Sequence, residues 1–227
     1  MNPLSLDGKR VLLTQASDFM GPALREVFVE LGANVITDEG PLDNPSRPDA
    51  LIQQAGHIDV MLVNLGIPAP STPAADVSQD EWRSAFAHMV DPLQRLVKAV
   101  LPQMTARGSG KIVLIGSASA LRGIRRASTY SAARGAQLAY IQSVGIEVAP
   151  KKVQVNAIAQ NYVDNPTYFP AEVQTNPVFQ EKLKREVPLG RLVSAREDAM
   201  FAAYLASPAA DCFVGQVFPV CGGWITR

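Results

Sequence analysis

RVLLTQASDFMG, residues 10–21, is the stretch that decides the fold. Residues 10–14 form a short apolar run after a polar turn, which is typical of a strand buried on both faces of a parallel sheet. Apolar positions then recur at helical spacing over residues 20–31, and Gly32 provides a typical C-terminal cap. A buried strand that passes through a tight loop into a helix is the repeating unit of α/β domains.

The same alternation of strand and helix patterns continues along the chain. Apolar runs predict further strands at 33–37, 58–64, 111–117, 153–159 and 216–220. Helical spacing predicts further helices at about 48–56, 78–105, 128–148 and 195–207. We therefore predict an α/β fold, a Rossmann-type, doubly wound parallel sheet with helices on both faces. Because no repeat or break in composition divides the chain, residues 1–227 are predicted to form a single domain.

The composition excludes several classes of function. The 21 basic and 21 acidic residues balance, so no basic face suggests nucleic-acid binding. The chain has no apolar run near the roughly 18 residues of a membrane span and no leader-like N-terminus, which favours a soluble cytoplasmic protein without membrane contact. Cys212 and Cys221 are too far apart for a metal or redox pair, and His57 and His88 lack metal-site spacing, so no metal is expected.

Several motifs resemble those of the short-chain dehydrogenase/reductase superfamily, and together they extend over nearly the whole chain. The family's cofactor loop, T-G-x-x-x-G-x-G, corresponds to residues 14–21, and its N-N-A-G motif corresponds to residues 63–66. Its catalytic Ser, Tyr and Lys positions hold Ser117, Tyr130 and Arg134. The P-G pair after the sixth strand of that family is replaced by Gln160 and Asn161.

The departures from that family concentrate in the cofactor loop. Its first glycine permits a tight turn, and its second lets the pyrophosphate approach the backbone. Gln15 replaces the first and Phe19 the second, whereas Gly21, which serves helix packing, is retained. The connection 38–59 leaves room for one helix but little for the further helix and strand of a full dinucleotide fold. We therefore predict that the chain uses no nicotinamide cofactor.

Two further positions bear on the reductase chemistry of the family. Met89 stands where typical members have an active-site Asn, so that proton relay is missing. Asp38 ends the second predicted strand, where an acid can bind a ribose hydroxyl. A solvated residue at the end of a strand is the alternative interpretation of Asp38.

Within this superfamily the chain is similar to the halohydrin dehalogenases, which have two signatures. The first, T-x4-F/Y-x-G, is satisfied by Thr14, Phe19 and Gly21. The second, S-x12-Y-x3-R, is satisfied by Ser117, Tyr130 and Arg134. The segment 161–169 resembles their halide-binding loop, and Gln160 departs from the Pro that many members have. The resemblance implies cofactor-independent conversion of vicinal haloalcohols to epoxides with halide release, and the reverse opening of epoxides by azide, cyanide or nitrite.

Three residues suit this chemistry. Tyr130 is the candidate base, although a free phenol has a pKa of about 10. Arg134 lies four residues further on, hence on the same face of the predicted helix, and its permanent positive charge favours the phenolate. Ser117 follows a buried strand and can donate a hydrogen bond to the substrate oxygen, which positions that oxygen for attack.

Substrate and halide binding are assigned by the resemblance to the former cofactor loop and to the loop that begins at residue 160. The candidate binding residues are Phe19, Gln160, Asn161, Tyr162, Val163, Tyr168 and Phe169. Backbone N–H groups of residues 160–163 are expected to donate to the halide. Aromatic ring edges carry partial positive charge and are expected to form walls of its site. Each aromatic side chain can instead serve packing alone, so the identity of these walls stays open.

Two other functions stay open. An NAD(P)-dependent short-chain oxidoreductase with a divergent loop is consistent with Asp38 and the Ser117–Tyr130 pair. A non-catalytic binding protein on the same fold is the third possibility, although the retained catalytic positions argue against it. The expected partners are a small haloalcohol or epoxide and a halide ion. The resemblance also implies a homotetramer assembled through the helices at 78–105 and 128–148.

Overall fold

The computed structural model describes residues 4–226, which contain a single parallel β-sheet. Its strands are β1 (Arg10–Thr14), β2 (Asn34–Asp38), β3 (Val60–Asn64), β4 (Gly110–Ser117), β5 (Val153–Gln160) and β6 (Val217–Val220). They are arranged in the order β2-β1-β3-β4-β5-β6, and every neighbouring pair is parallel. The central strands β3 and β4 are buried along their whole length, as their unbroken apolar runs require.

Helices cover both faces of the sheet. They are α1 (Gly21–Glu30), α2 (Arg47–Ala55), α3 (Gln79–Arg107), α4 (Ser119–Arg122), α5 (Ser128–Val148), α6 (Ala171–Gln174), α7 (Pro177–Glu186) and α8 (Ala195–Ala206). The helices α1 and α8 pack together on one face, and α2, α3 and α5 pack on the other. Each face therefore has its own apolar core, with the sheet between them.

The predicted fold class is confirmed, and the predicted strands and long helices lie within about two residues of their observed bounds. The short helices α4, α6 and α7 were not predicted. In α7, Asn176 caps the first turn and Pro177 occupies the first helical position, but only Leu183 is buried. A helix with so little apolar surface has a weak periodic pattern, so its sequence resembles that of a polar loop.

The connection between β2 and β3 contains only α2, as its length predicts. No further strand pairs with the outer side of β2 within residues 4–226, so β2 forms one edge of the sheet. The chain leaves β1 toward β2 on one side and returns to β3 on the other. The sheet therefore has a topological switch point between β1 and β3, where ligands bind in open α/β folds.

The loop after β1 is held at this switch point by Asn64. The Asn64 side-chain amide donates to the carbonyl oxygens of Gln15 and Asp18, each at 2.9 Å. Its backbone N–H donates to the Thr14 hydroxyl at 3.0 Å. These bonds fix the loop after β1 against the end of β3. The loops that follow β1 and β3 are therefore held together at the carboxyl edge of the sheet.

Gly21 is predicted to be essential for the same loop. A Cβ atom at Gly21 would lie 2.4 Å from the Ala16 carbonyl oxygen, whereas a Cβ at Gly135 in α5 would meet nothing within 4 Å. We expect Gly21→Ala to lower the free energy of unfolding by about 1–3 kcal/mol, because backbone must move. Gly135→Ala, the matched control, should raise it by about 0.5–1 kcal/mol. Urea denaturation of both variants measures the difference, and equal stabilities would contradict this account of the loop.

Candidate active site

A cavity of about 150 Å³ opens at the carboxyl edge of the sheet, beside the switch point. Ten of its lining residues were singled out from the sequence: Phe19, Ser117, Tyr130, Arg134, Gln160, Asn161, Tyr162, Val163, Tyr168 and Phe169. The other lining residues are Asn64, Ala69, Ile115, Gly116, Ile124 and Asn165. The structure thus brings all the predicted site residues to one cavity, although they come from four separate segments of the chain.

Arg134 is a buried cation at the floor of this cavity. Its Nη1 atom donates to the carbonyl oxygens of Leu65 (2.7 Å) and Ile115 (3.2 Å), and to Oε1 of Gln137 (3.0 Å). Its Nε atom is buried without a hydrogen-bond partner among the described residues. Within residues 4–226 no carboxylate forms an ion pair with it. The guanidinium therefore has neutral partners, and an anion beside it is strongly favoured.

Tyr130 lies one helical turn before Arg134, and the guanidinium carbon lies 5.1 Å from the centre of its ring. Burial by itself raises the pKa of Tyr130. The charge of Arg134 and hydrogen bonds with Tyr168, Arg134 and Ser117 act in the opposite direction and outweigh it. The pKa of Tyr130 is therefore lowered from its ordinary value, so its phenolate is available to accept a proton.

Tyr168 has a second role besides lining the cavity. Its hydroxyl lies 3.2 Å from the Tyr130 hydroxyl and 2.6 Å from the carbonyl oxygen of Ile67, to which it donates. Burial, and then the negative charge that Tyr130 can carry, raise the pKa of Tyr168 well above its ordinary value. Tyr168 therefore remains protonated while Tyr130 ionises, and it can turn its proton toward the phenolate.

Ser117 reaches the cavity at the end of β4, but its hydroxyl is engaged locally. It donates to the Ser119 hydroxyl at 2.9 Å and accepts from the Ser119 backbone N–H at 3.2 Å. Hydroxyl protons rotate freely about the C–O bond. A substrate oxygen in the cavity can therefore receive the Ser117 proton in place of Ser119.

The loop after β1 does not fit a nicotinamide dinucleotide. The Gln15 side chain bridges both backbone groups of Gly66, accepting from its N–H at 2.8 Å and donating to its carbonyl oxygen at 3.2 Å. The Phe19 ring lies against Gly66, and a Cβ atom at Gly66 would meet it at 3.3 Å. Asp38, the candidate ribose ligand, is buried rather than solvated, and its Oδ1 atom forms an ion pair with Arg47, while its Oδ2 atom has no hydrogen-bond partner among the described residues. Side chains of the chain itself therefore fill the space that the pyrophosphate needs and engage one oxygen of the acid.

The loop after β5 was predicted to offer the backbone N–H groups of residues 160–163 to a halide, but two of these groups already have acceptors within the protein. The Asn161 N–H already donates to the Val220 carbonyl oxygen at 3.1 Å, and the Tyr162 N–H donates to the side-chain oxygen of Asn161 at 2.9 Å. Neither can bind a halide in this arrangement. Val163 forms a bridge with Val193, and its own N–H points away from that bridge.

The aromatic residues of this loop have distinct surroundings. Tyr168 and Phe19 contact each other, with ring centres 5.5 Å apart, so they form one wall together. Phe169 packs between Tyr162 and Phe179, at 6.0 and 5.5 Å. The Tyr162 hydroxyl donates to Glu186 at 2.8 Å and so points toward α7; burial and this carboxylate raise its pKa. Tyr162 and Phe169 therefore support the loop as well as line the cavity.

The sequence analysis also missed three residues whose hydrogen bonds hold the site in place. Gln137 accepts from Arg134 and donates to the Met89 carbonyl oxygen at 2.7 Å. Its spacing of three residues from Arg134 was the available signal. Asn165 holds the loop by donating to the Val163 carbonyl oxygen at 3.1 Å. Asp198 does not line the cavity, but its carboxylate accepts a hydrogen bond from the Gln160 side chain, which does. No local sequence pattern predicts that contact.

Neither a metal centre nor a membrane span is found in the part of the chain that the structure describes. Residues 4–226 contain no group of three His, Cys, Asp or Glu side chains placed to hold a metal ion. No helix in the same range has both the length and the apolar character to cross a bilayer.

Comparison with known proteins identifies the family. A family model described as enoyl-(acyl carrier protein) reductase matches residues 5–225. The chain belongs to the short-chain dehydrogenase/reductase superfamily. Among solved structures, this superfamily member is similar to one titled "Dehalogenation enzyme", with 31% identity, a TM-score of 0.91, and coverage of 97% of this chain and 99% of the other.

Other similar proteins of the superfamily are oxidoreductases by name. A 3-oxoacyl-(acyl-carrier-protein) reductase of Vibrio cholerae is 28% identical over 97% of this chain and 98% of its own length. A cis-4-hydroxycyclohexanecarboxylate dehydrogenase of Sinomonas cyclohexanicum is 31% identical over 83% of this chain and 74% of its own. The L-sorbose reductase of Gluconobacter frateurii shares the fold, with a TM-score of 0.91, 21% identity and 99% coverage of both chains.

Arg134 is predicted to control the ionisation of Tyr130. Removing its charge by Arg134→Gln leaves burial as the main influence, so the pH at which Tyr130 ionises should rise, by about 1–3 units. Ultraviolet titration of tyrosinate, taken as the difference between Arg134→Gln and the same variant carrying Tyr130→Phe, isolates this group. Arg125→Gln, on an exposed loop, is the matched control and should change nothing. An unchanged midpoint in Arg134→Gln would contradict the assignment.

Proposed function

We propose that this protein converts vicinal haloalcohols to epoxides without a cofactor, releasing halide, and opens epoxides in reverse with small anions such as azide, cyanide or nitrite. One observation carries the proposal: the buried Arg134, which has no carboxylate partner among residues 4–226, lies beside a tyrosine whose pKa it lowers. Such a site stabilises a phenolate base and attracts an anion in the same small cavity.

The reaction needs only groups that border the cavity. The Tyr130 phenolate accepts the proton of the substrate hydroxyl, and the oxygen attacks the neighbouring carbon. The carbon–halogen bond breaks as the new carbon–oxygen bond forms, and the halide leaves with the bonding electrons from the opposite side. Ser117 donates to the substrate oxygen and orients it. In the reverse direction, Tyr130 returns its proton to the oxygen of the opening epoxide.

The departing halide is assigned to the side of the cavity formed by Phe19 and Tyr168. Ring edges carry partial positive charge and hold weakly hydrated anions such as bromide. The Val163 N–H is the loop amide that remains available as a donor. Phe169 and Tyr162 keep this loop in place by packing behind it. Exclusion of water strengthens each of these interactions.

The occupied cofactor loop supports a reaction without a nicotinamide dinucleotide. The Gln15 bridge to Gly66 and the Phe19 ring take up space where the family's glycines admit the pyrophosphate. A proton transfer followed by displacement of halide moves no hydride, so the proposed reaction does not need the cofactor. The likeness to the structure titled "Dehalogenation enzyme" supports the same conclusion.

An NAD(P)-dependent oxidoreductase is the second candidate, because the curated relatives with 27–31% identity carry the names of reductases and dehydrogenases. Such an oxidoreductase would use the retained Ser117 and Tyr130, but the loop after β1 would have to rearrange to admit the cofactor. Titration with NADH and NADPH distinguishes the two candidates. Tight binding of either would favour the oxidoreductase.

We also propose that the protein assembles as a homotetramer through the outer faces of α3 and α5. These helices pack against each other and carry exposed apolar side chains, among them Trp82 and Ile146, which are 41% and 70% exposed. A second copy would remove these side chains from water.

Release of halide from a 1,2-haloalcohol is the direct test. We expect the protein to release chloride or bromide, and Tyr130→Phe to lower the rate by about 10²–10⁴-fold, because the proton acceptor is lost. Tyr140→Phe is the matched control, since Tyr140 lies on the same helix outside the cavity. It should retain the full rate. A colorimetric halide assay measures both, and no release across a panel of small haloalcohols would overturn the proposal.

Phe19 tests whether the replaced glycine now serves the halide. Its φ angle is 51°, which glycine adopts without strain, so Phe19→Gly should keep the fold while removing the ring. We expect this variant to release halide at least tenfold more slowly and still not bind NADH or NADPH, because Gln15 and Arg47 remain. Phe19→Leu separates loss of the ring edge from loss of volume. Full activity in Phe19→Gly would exclude Phe19 from the halide site.

A further inference from the structure

Asp198 is a buried carboxyl group that the proposed mechanism does not use. It lies in the first turns of α8 and has no exposed surface. Its Oδ2 atom accepts one hydrogen bond, from Nε2 of Gln160 at 2.5 Å. Its Oδ1 atom is buried without a hydrogen-bond partner among the described residues. A fully buried carboxylate with one bond and one unpaired oxygen is costly, so its protonated form is favoured.

Gln160 connects this carboxyl group to the cavity. It is the last residue of β5, and it lines the cavity together with Ser117, its neighbour in register on β4. The group that separates Asp198 from the cavity wall is therefore a single side-chain amide. A change of charge at Asp198 acts on the cavity both directly and through the orientation of that amide.

We propose that Asp198 is a positioning residue that couples anion binding to proton uptake: its carboxyl group is protonated when the cavity holds a halide or another small anion. This inference rests on the proposed function, because it concerns the anion that leaves or attacks in that reaction. With Asp198 ionised, the Gln160 amide donates to it, and a second negative charge in the cavity is disfavoured. With Asp198 protonated, its O–H donates to Oε1 of Gln160, and the amide N–H groups become free to face the anion.

Among residues 4–226, no basic side chain forms an ion pair with Asp198. On α1, the charged residues Arg25, Glu26 and Glu30 are exposed, and Glu30 pairs with Arg196 of α8 itself. Glu197, also on α8, pairs with Arg191.

The remaining charged groups near Asp198 belong to the sheet and to the cavity. Lys111, the second residue of β4, lies at the opposite edge of the sheet and pairs with Asp211, and β5 and β6 carry no charged side chain. Across the cavity stand the Arg134 cation and the two tyrosines described above. Burial consequently raises the pKa of Asp198 to about 7, and the Gln160 hydrogen bond offsets this only in part.

The direction of the pH effect follows from linkage. An anion that binds beside Asp198 raises the pKa of this carboxyl group further, so binding takes up a proton. Affinity for the anion should be highest below about pH 6 and should fall as the pH rises through 7, by about tenfold between pH 6 and pH 8. Halide release is then favoured on the alkaline side, which is also the direction in which the base Tyr130 loses its proton.

Chloride is the probe for the test, measured by the broadening of its NMR signal at about pH 6 and pH 8. The experiment uses the Tyr130→Phe protein, so that ionisation of the base does not contribute to the profile. We expect the tenfold loss of chloride affinity in this protein, and no loss when Asp198→Asn is added, because asparagine keeps the shape but cannot titrate. Asp91→Asn, half exposed on α3, is the matched control and should leave the tenfold loss intact.

The outcomes separate this inference from the proposed function. A flat pH profile in Tyr130→Phe, or a profile that persists in Asp198→Asn, overturns the role of Asp198 while halide release by the unsubstituted protein still supports the function. Absence of both chloride binding and halide release overturns both. If Asp198→Asn does not fold, calorimetry of chloride binding at pH 7 in two buffers of different ionisation enthalpy counts the protons taken up. The proposal requires a positive number approaching one half per chloride, and zero contradicts it.

Discussion

The arrangement of the site depends on one constraint, a buried guanidinium that no carboxylate of the described residues neutralises. A charge removed from water costs several kcal/mol unless an opposite charge or a full set of dipoles compensates it. Arg134 receives only part of that compensation, from two backbone carbonyl oxygens and the Gln137 side chain. The part of the positive charge that these dipoles do not compensate acts electrostatically on the groups and ligands in the cavity. It stabilises the Tyr130 phenolate, and in the proposed reaction it also attracts the departing halide.

The pKa values of the two tyrosines that share this field are shifted in opposite directions. Their hydroxyl groups lie 3.2 Å apart, too close for both to carry a negative charge. Arg134 is four residues from Tyr130 and favours its phenolate, whereas Tyr168 is held by the Ile67 carbonyl oxygen and stays protonated. Neighbouring groups with separated pKa values divide the roles of base and hydrogen-bond donor between them. The same fold can therefore carry out proton transfer with two side chains of one chemical type.

Local patterns were enough to predict the sheet, whereas the family resemblance selected the residues that line the cavity. Apolar runs marked the strands because both faces of a parallel sheet are buried, and the residues at the ends of those strands meet at one edge. The directions of individual hydrogen bonds could not be predicted in this way. Ser117 turns to Ser119, and the Asn161 N–H finds its acceptor at the end of β6, 59 residues further along the chain. The contact between Gln160 and Asp198 likewise depends on how α8 packs, which no spacing in the sequence encodes.

The Gln15 bridge to Gly66 has a consequence for how the site responds to substitution. It joins the loop after β1 to the loop after β3 through one side chain, and the Phe19 ring packs against the same glycine. Phe19 in turn contacts Tyr168, whose hydroxyl lies 3.2 Å from that of Tyr130. Gln15 does not line the cavity, yet a change in its two hydrogen bonds is transmitted through Phe19 and Tyr168 to the candidate base.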